Sequence, residues 1–142
     1  MAKYQSSGNS RIVVEDREGV ARDLSPFVEE VGPVGVAVRW LDVTGLSDPA
    51  QRVIAGAMEA QELIVRGLFD DTAVGGPDVV LAGVVGKVVT VSYGPAGSGA
   101  GQRRISGEFL CLSYRMVSRV GKKVRFEARF VQDGEATAGA WE

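Results

Sequence analysis

Within KKVRFEARFVQ (122–132), apolar and charged residues alternate without a break from Lys123 to Phe130. Val124, Phe126, Ala128 and Phe130 fall on one side of an extended chain, and Lys123, Arg125, Glu127 and Arg129 fall on the other. This is the pattern of an antiparallel strand with one buried and one wet face. KVVTVSY (87–93) reads as a second clear strand, stopped by Gly94-Pro95. The stretch RRISGEFLCLSYRMVSRV (103–120) is extended over an unusual length. At ~3.3 Å per residue, sixteen residues of it would span on the order of 50 Å, well beyond an ordinary strand. Gly121 turns it back, so residues 103–132 predict an oversized hairpin. Weaker strand signals lie in VAVRWLDV (36–43), broken by Gly45 and Asp48-Pro49, and in DLSPFVEEV (23–31). Residues 57–69 begin with helix formers, but Leu63, Val65 and Phe69 then alternate with Ile64, Arg66 and Leu68, which is strand periodicity.

One helix is predicted, Pro77 to Val85. Proline suits its first position because it has no N–H to leave unpaired, Asp78 puts a negative charge near the positive end of the dipole, and Gly86 is a stop. Almost nothing polar follows Asp78, so this helix needs cover on more than one side. Just before it stand Asp70 and Asp71. Adjacent residues of a strand point to opposite faces, so these carboxylates converge only in a turn. The pattern predicts an aspartate-stabilised strand end in preference to an acid–base pair or cation site. PAGSGAGQ (95–102) lacks the Gly-Lys-Ser/Thr of a phosphate loop, and an extended segment follows it. It reads as a flexible connection.

The composition narrows the chemistry. There is no histidine and a single cysteine, Cys111, which lies in an apolar run as a small hydrophobe would. A zinc site would need carboxylates and one thiolate, and a nucleophilic serine or cysteine would lack its imidazole base. Neither a membrane-spanning run nor the apolar centre of a secretory signal is present, so synthesis in a cytoplasm is the default expectation. Net charge is only −2, yet the signs are segregated. Residues 1–102 carry eight basic and thirteen acidic side chains, whereas 103–129 carry eight basic and two acidic ones. Such segregation suits either a nucleic-acid face or a basic hairpin that docks on the acidic surface of another copy. Aromatic residues are not interleaved on the polar face, which favours the solvated or inter-subunit reading. Trp40 and Trp141 fit core or interface equally. The expectation is one mainly β domain over 1–142, an antiparallel β-sandwich with one short flanking helix and a long hairpin, with 1–10 and 133–142 as extended or flexible arms.

Several stretches, taken in order, resemble the major tail tube protein of long-tailed (siphovirus-like) bacteriophages. They are Trp40-Leu41-Asp42-Val43-Thr44-Gly45-Leu46-Ser47-Asp48, Arg52-Val53-Ile54-Ala55-Gly56, Gly67-Leu68-Phe69-Asp70-Asp71, the helix PDVVLAGVVG, Val91-Ser92-Tyr93-Gly94-Pro95-Ala96-Gly97-Ser98, and a basic-to-β pair ending in Ala/Gly-Trp. The family's Tyr and Pro are missing from the 52–56 corner. The resemblance covers roughly residues 40–141. It implies a structural virion protein without enzymatic activity or cofactor, self-assembling into stacked six-membered rings. Strands of all subunits would form a β-barrel tube for DNA delivery. Implied partners are further copies, the tape-measure protein, the tail terminator, baseplate or distal tail proteins, and genomic DNA in transient passage, with no membrane insertion. The implied location is the virion tail, assembled in the host bacterial cytoplasm. Lys123, Arg125, Glu127 and Arg129 then become a candidate lumen or inter-subunit face, with most of the arginines expected to be paired, since a strongly positive lumen would trap DNA. Val79, Val80, Val84 and Val85 become a candidate inter-subunit helix surface, and Arg115, Arg119 and Lys122 a candidate inter-subunit hairpin. The rival readings are a tube subunit of a contractile injection or secretion apparatus, a monomeric β-sandwich module binding nucleic acid or glycan, and a carboxylate enzyme using Asp70 and Asp71.

Overall fold

A computed structural model describes residues 10–142; the predicted arm of residues 1–10 lies, save for Ser10, outside the described residues. Nine strands and one helix follow in the order β1 (Arg11–Glu15), β2 (Ala21–Asp23), β3 (Val28–Gly32), β4 (Val38–Asp42), β5 (Val53–Met58), β6 (Glu62–Leu68), α1 (Pro77–Val84), β7 (Val88–Gly94), β8 (Arg103–Val117) and β9 (Arg125–Ala140). Among the described residues, seven strands form one antiparallel sheet in the order β2-β1-β7-β8-β9-β6-β3, and β4 and β5 pair only with each other.

In a flat sheet β1 and β3 would stand about five strand spacings apart, ~24 Å. Instead Arg11 and Ile12 of β1 and Val28 and Val31 of β3 line one small cleft. The sheet therefore rolls up, and its inward side chains meet in a single core. Ile12, Val14, Leu63, Val65, Val89, Val91, Phe109, Cys111, Phe126, Ala128 and Phe130 all lie in it. The alternation read along β9 is kept: Phe126, Ala128 and Phe130 are buried while Arg125, Glu127 and Arg129 look outward.

The long hairpin is real, and it is longer than the sequence pattern indicates. β9 runs on to Ala140, with Ala136 to Ala140 paired to Gly107 to Arg103. Of the segment expected as an extended or flexible arm, residues 133–140 are extended and part of β9: after an irregularity at 133–135 the strand resumes its pairing with the first half of β8. Trp141 closes this end: its carbonyl accepts from Gly101 N–H at 2.9 Å, and Arg104 stacks over its ring at 4.9 Å. The same contacts hold the glycine-rich connection to the body of the fold.

The helix begins at Pro77 as predicted, and Gly86 follows it with φ 82°. Pro77, Val80, Leu81 and Val84 are buried within this chain. One close approach constrains the sheet edge: a Cβ on Gly67 would lie 2.2 Å from the Phe27 carbonyl oxygen and 2.8 Å from Val28 Cα. Backbone on that side cannot yield as a flexible side chain would. Gly67→Ala is expected to destabilise the fold by about 1–3 kcal/mol, as overpacking does; a thermal melt within a degree of wild type would contradict this.

Candidate assembly surfaces

The outward face of β9 is continued by β6 and β3. In register, Arg115 of β8, Glu127 of β9, Arg66 of β6 and Glu30 of β3 succeed one another across four strands, alternating in sign. Arg66 Nε donates to Glu127 Oε2 and Arg129 Nε to Glu127 Oε1, each at 3.0 Å. Arg129 Nη1 also donates to Glu62 at 2.8 Å, and Arg66 Nη1 lies 3.4 Å from Glu30. Lys123 Nζ donates to Glu29 at 2.7 Å, and Arg125 Nε is 3.4 Å from the same carboxylate. The expected pairing of these arginines is therefore observed, with acids of β3 and β6. Four cations meet four carboxylates, so this face carries little net field to hold a polyanion.

Hydrogen bonds from Arg129, then Arg66, hold the Glu127 carboxyl below its ordinary value of 4.5. Glu127 thus binds its proton more weakly folded than unfolded. Its pairs stabilise the fold above pH 4.5 and stop doing so as the pH falls through the lower, folded value. We expect Glu127→Gln to melt below wild type at pH 7, with the two melts converging as the pH falls below 4.5. A gap that stays constant with pH would contradict the pairing.

Of the candidate helix valines, Val80 and Val84 are fully buried in the chain's own core. The sequence expectation is corrected here: the rolled sheet covers that side of α1, so neither residue is available to a neighbour. Val79 and Val85 remain outward, 46% and 44% exposed. The candidate hairpin cations Arg115, Arg119 and Lys122 are exposed and have no side-chain partner among the described residues. They surround the turn between β8 and β9, where Val120 is fully exposed.

Asp70 stays in a local turn. Its Oδ1 accepts from the Thr72 N–H at 2.8 Å and from the Thr72 hydroxyl, and these bonds lower its pKa. Asp71 is exposed, and no group of three or more metal-binding side chains occurs among the described residues. The two carboxylates are not brought together as a site. Cys111 is buried, and burial pushes its thiol up to about 11.

The surface that sequence periodicity missed is the β4–β5 hairpin. It packs substantially against none of the other strands or the helix. Register places Trp40 beside Ala55 on one face and Leu41 beside Ile54 on the other. Trp40 is 61% exposed, and Leu41, Val53 and Ile54 are more than half exposed. Both faces are thus apolar and wet, whereas a lone two-stranded hairpin is marginal in water. An apolar surface this extensive marks a place for a partner. Trp40, left open between core and interface, falls on this surface, while Trp141 is half-buried under Arg104.

No protein-family model matches the chain, and no curated protein is significantly similar to it. Solved structures do match. A chain in the tail of an empty gene transfer agent particle, determined with C6 symmetry, is 16% identical with a TM-score of 0.70, the alignment covering 96% of this chain and 99% of that one. A chain in the virion of the native gene transfer agent gives a TM-score of 0.72 at 16% identity over the same shares. A chain in the sheath/tube terminator of the PVC extracellular contractile injection system is 9% identical, with a TM-score of 0.70 over 99% of both chains. The fold of this chain, mainly antiparallel β with one short helix as the sequence resemblance implies, is shared with chains of these gene transfer agent and contractile injection system particles.

Proposed function

We propose that this protein is the tail tube subunit of a phage or phage-like particle, a structural protein that self-assembles into stacked rings around a channel for DNA. The observation that carries this reading is the end-to-end match with the chain from the C6-symmetric tail, in which neither chain has an unmatched domain. The unpartnered hairpin supports it, since an isolated monomer gains nothing by exposing Trp40, Leu41 and Ile54. So do the three cations at the β8–β9 turn that have no side-chain partner among the described residues. Charge neutrality of the β9–β6–β3 face suits a surface past which DNA must slide, whether that face lines the lumen or meets a neighbour. In this role the chain works with a tape-measure protein, a tail terminator and baseplate or distal tail proteins, in a virion tail built in the bacterial cytoplasm. Deleting its gene in a producing strain is expected to leave filled heads without tails by negative-stain microscopy. Normal tails on the deletion particles would overturn the proposal.

A second reading, a tube subunit of a contractile injection apparatus, draws on the full-length match to the PVC chain. Flanking genes separate the two: terminase and capsid genes favour the first reading, and effector genes with an ATPase favour the second.

A further inference from the structure

The last stretch of β9 is built differently from the rest of the strand. From Arg125 to Val131 it is held on both edges, by β8 and by β6. Its inward side chains there, Phe126, Ala128 and Phe130, are buried. From Ala136 to Ala140 it pairs only with the first half of β8, so its other edge is open among the described residues. Ala136 is the one buried side chain of this run, and only alanine, threonine and glycine make up the rest. Between the two halves the ladder breaks. Residues 133–135 bulge out opposite Glu108, and Gly134 sits in the bulge at φ 87°. Few buried apolar side chains and a solvent-exposed ladder are the marks of a segment that opens on its own.

One large side chain holds the far end of this run down. The Trp141 N–H donates to the Gln102 carbonyl at 2.9 Å, and its ring lies under the Arg104 guanidinium. The edge of the indole rests on bare backbone, for a Cβ at Gly94 would stand 2.6 Å from Nε1. The hold is imperfect. Trp141 Nε1 and Arg104 Nε are both buried with no acceptor among the described residues, and a buried donor left unpaired counts against the closed form. We propose that residues 136–140 form a strap that opens as a unit about the 133–135 bulge, with Trp141 as its latch, while the body of the fold stays closed. The backbone ladder and one indole favour the closed form, and two unpaired donors oppose it, so the open form lies close in free energy. Opening uncovers the backbone N–H and C=O groups of β8 from Arg103 to Gly107. It also frees the glycine-rich connection, which Trp141 tethers through Gly101. The device belongs to the single chain and stands whether or not the tube reading does.

Hydrogen exchange on the full-length chain at low concentration, read amide by amide, tests the strap. In wild type the amides of 136–140 that bond to β8 are expected to be less protected than those of 126–130 by about a hundredfold or more. Low urea is expected to leave the strap's exchange nearly unchanged, because the opening exposes little surface, and to speed that of 126–130. Trp141→Ala is expected to speed exchange in the strap by about a further tenfold and to leave 126–130 as in wild type. Trp141→Phe keeps a ring under Arg104 and drops the unpaired N–H, and its strap is expected to be protected at least as well as wild type. Equal protection and equal urea dependence in the two halves of β9 would overturn the proposal. So would a strap untouched by Trp141→Ala, or one that Trp141→Phe opens as far as alanine does. Loss of protection at 126–130 in Trp141→Ala would also overturn it, by placing Trp141 in the cooperative core.

Discussion

Phe130→Ala lowers the unfolding free energy by about 3–5 kcal/mol, the range for emptying a buried phenylalanine site. Phe130 is fully buried in the middle of the rolled sheet, paired in register with Leu63 of β6 and Cys111 of β8. Its neighbours on β9's inner face, Ala128 and Phe126, are equally enclosed, so little can collapse into the space. A domain of this kind has about 5–15 kcal/mol in total, so the variant is expected near the margin of folding at 37 °C. Urea denaturation measures it: the midpoint falls sharply while the slope stays close to wild type, because the same surface is exposed on unfolding. A loss under 1 kcal/mol would mean that the core is not closed around β9 as described.

The opposite result is expected at the hairpin. Trp40→Ala combined with Ile54→Ala removes one large apolar group from each face of β4–β5. Neither side chain supports the rest of the fold, so the monomer melt stays within about 0.5 kcal/mol of wild type, as for an ordinary surface change. Assembly is lost instead. A tryptophan buried at the centre of an interface contributes about 2 kcal/mol or more, and the loss recurs at every copy of the contact. Sedimentation at matched concentrations reads the assembly and calorimetry reads the fold. A variant that still assembles like wild type would show that the hairpin is not an assembly element; one that unfolds would show that it is part of the domain core.

The contrast between Phe130 and Trp40 also explains what the sequence made legible. A strand with one wet face alternates, and β9, β7 and the second half of 57–69 were readable for that reason. The helix start was readable from Pro77 and Asp78, and the turn from Asp70. β5 was not, because Val53–Met58 pairs into a ribbon whose two faces are both apolar, and a two-sided ribbon leaves no alternation to read. The extension of β9 beyond Asp133 was hidden because DGEATAGA has small and polar residues without period, and its order comes from pairing with β8. The helix was over-interpreted in one respect. Its apolar residues called for cover on more than one side, and the rolled sheet supplies that cover for Val80 and Val84. The ion pairs of Arg125 and Arg129 were foreseen in kind, but their partners, Glu29 on β3 and Glu62 on β6, are set by register across some sixty to a hundred residues of chain, which no local pattern encodes.

A reconstruction of the parent particle's tail at side-chain resolution tests the central claim most directly. The expected result is a repeating ring into which this chain fits along its whole length, with Trp40 and Ile54 covered by neighbouring copies. A tail wall built from a different chain, with this one absent or present only as an isolated monomer, would contradict it.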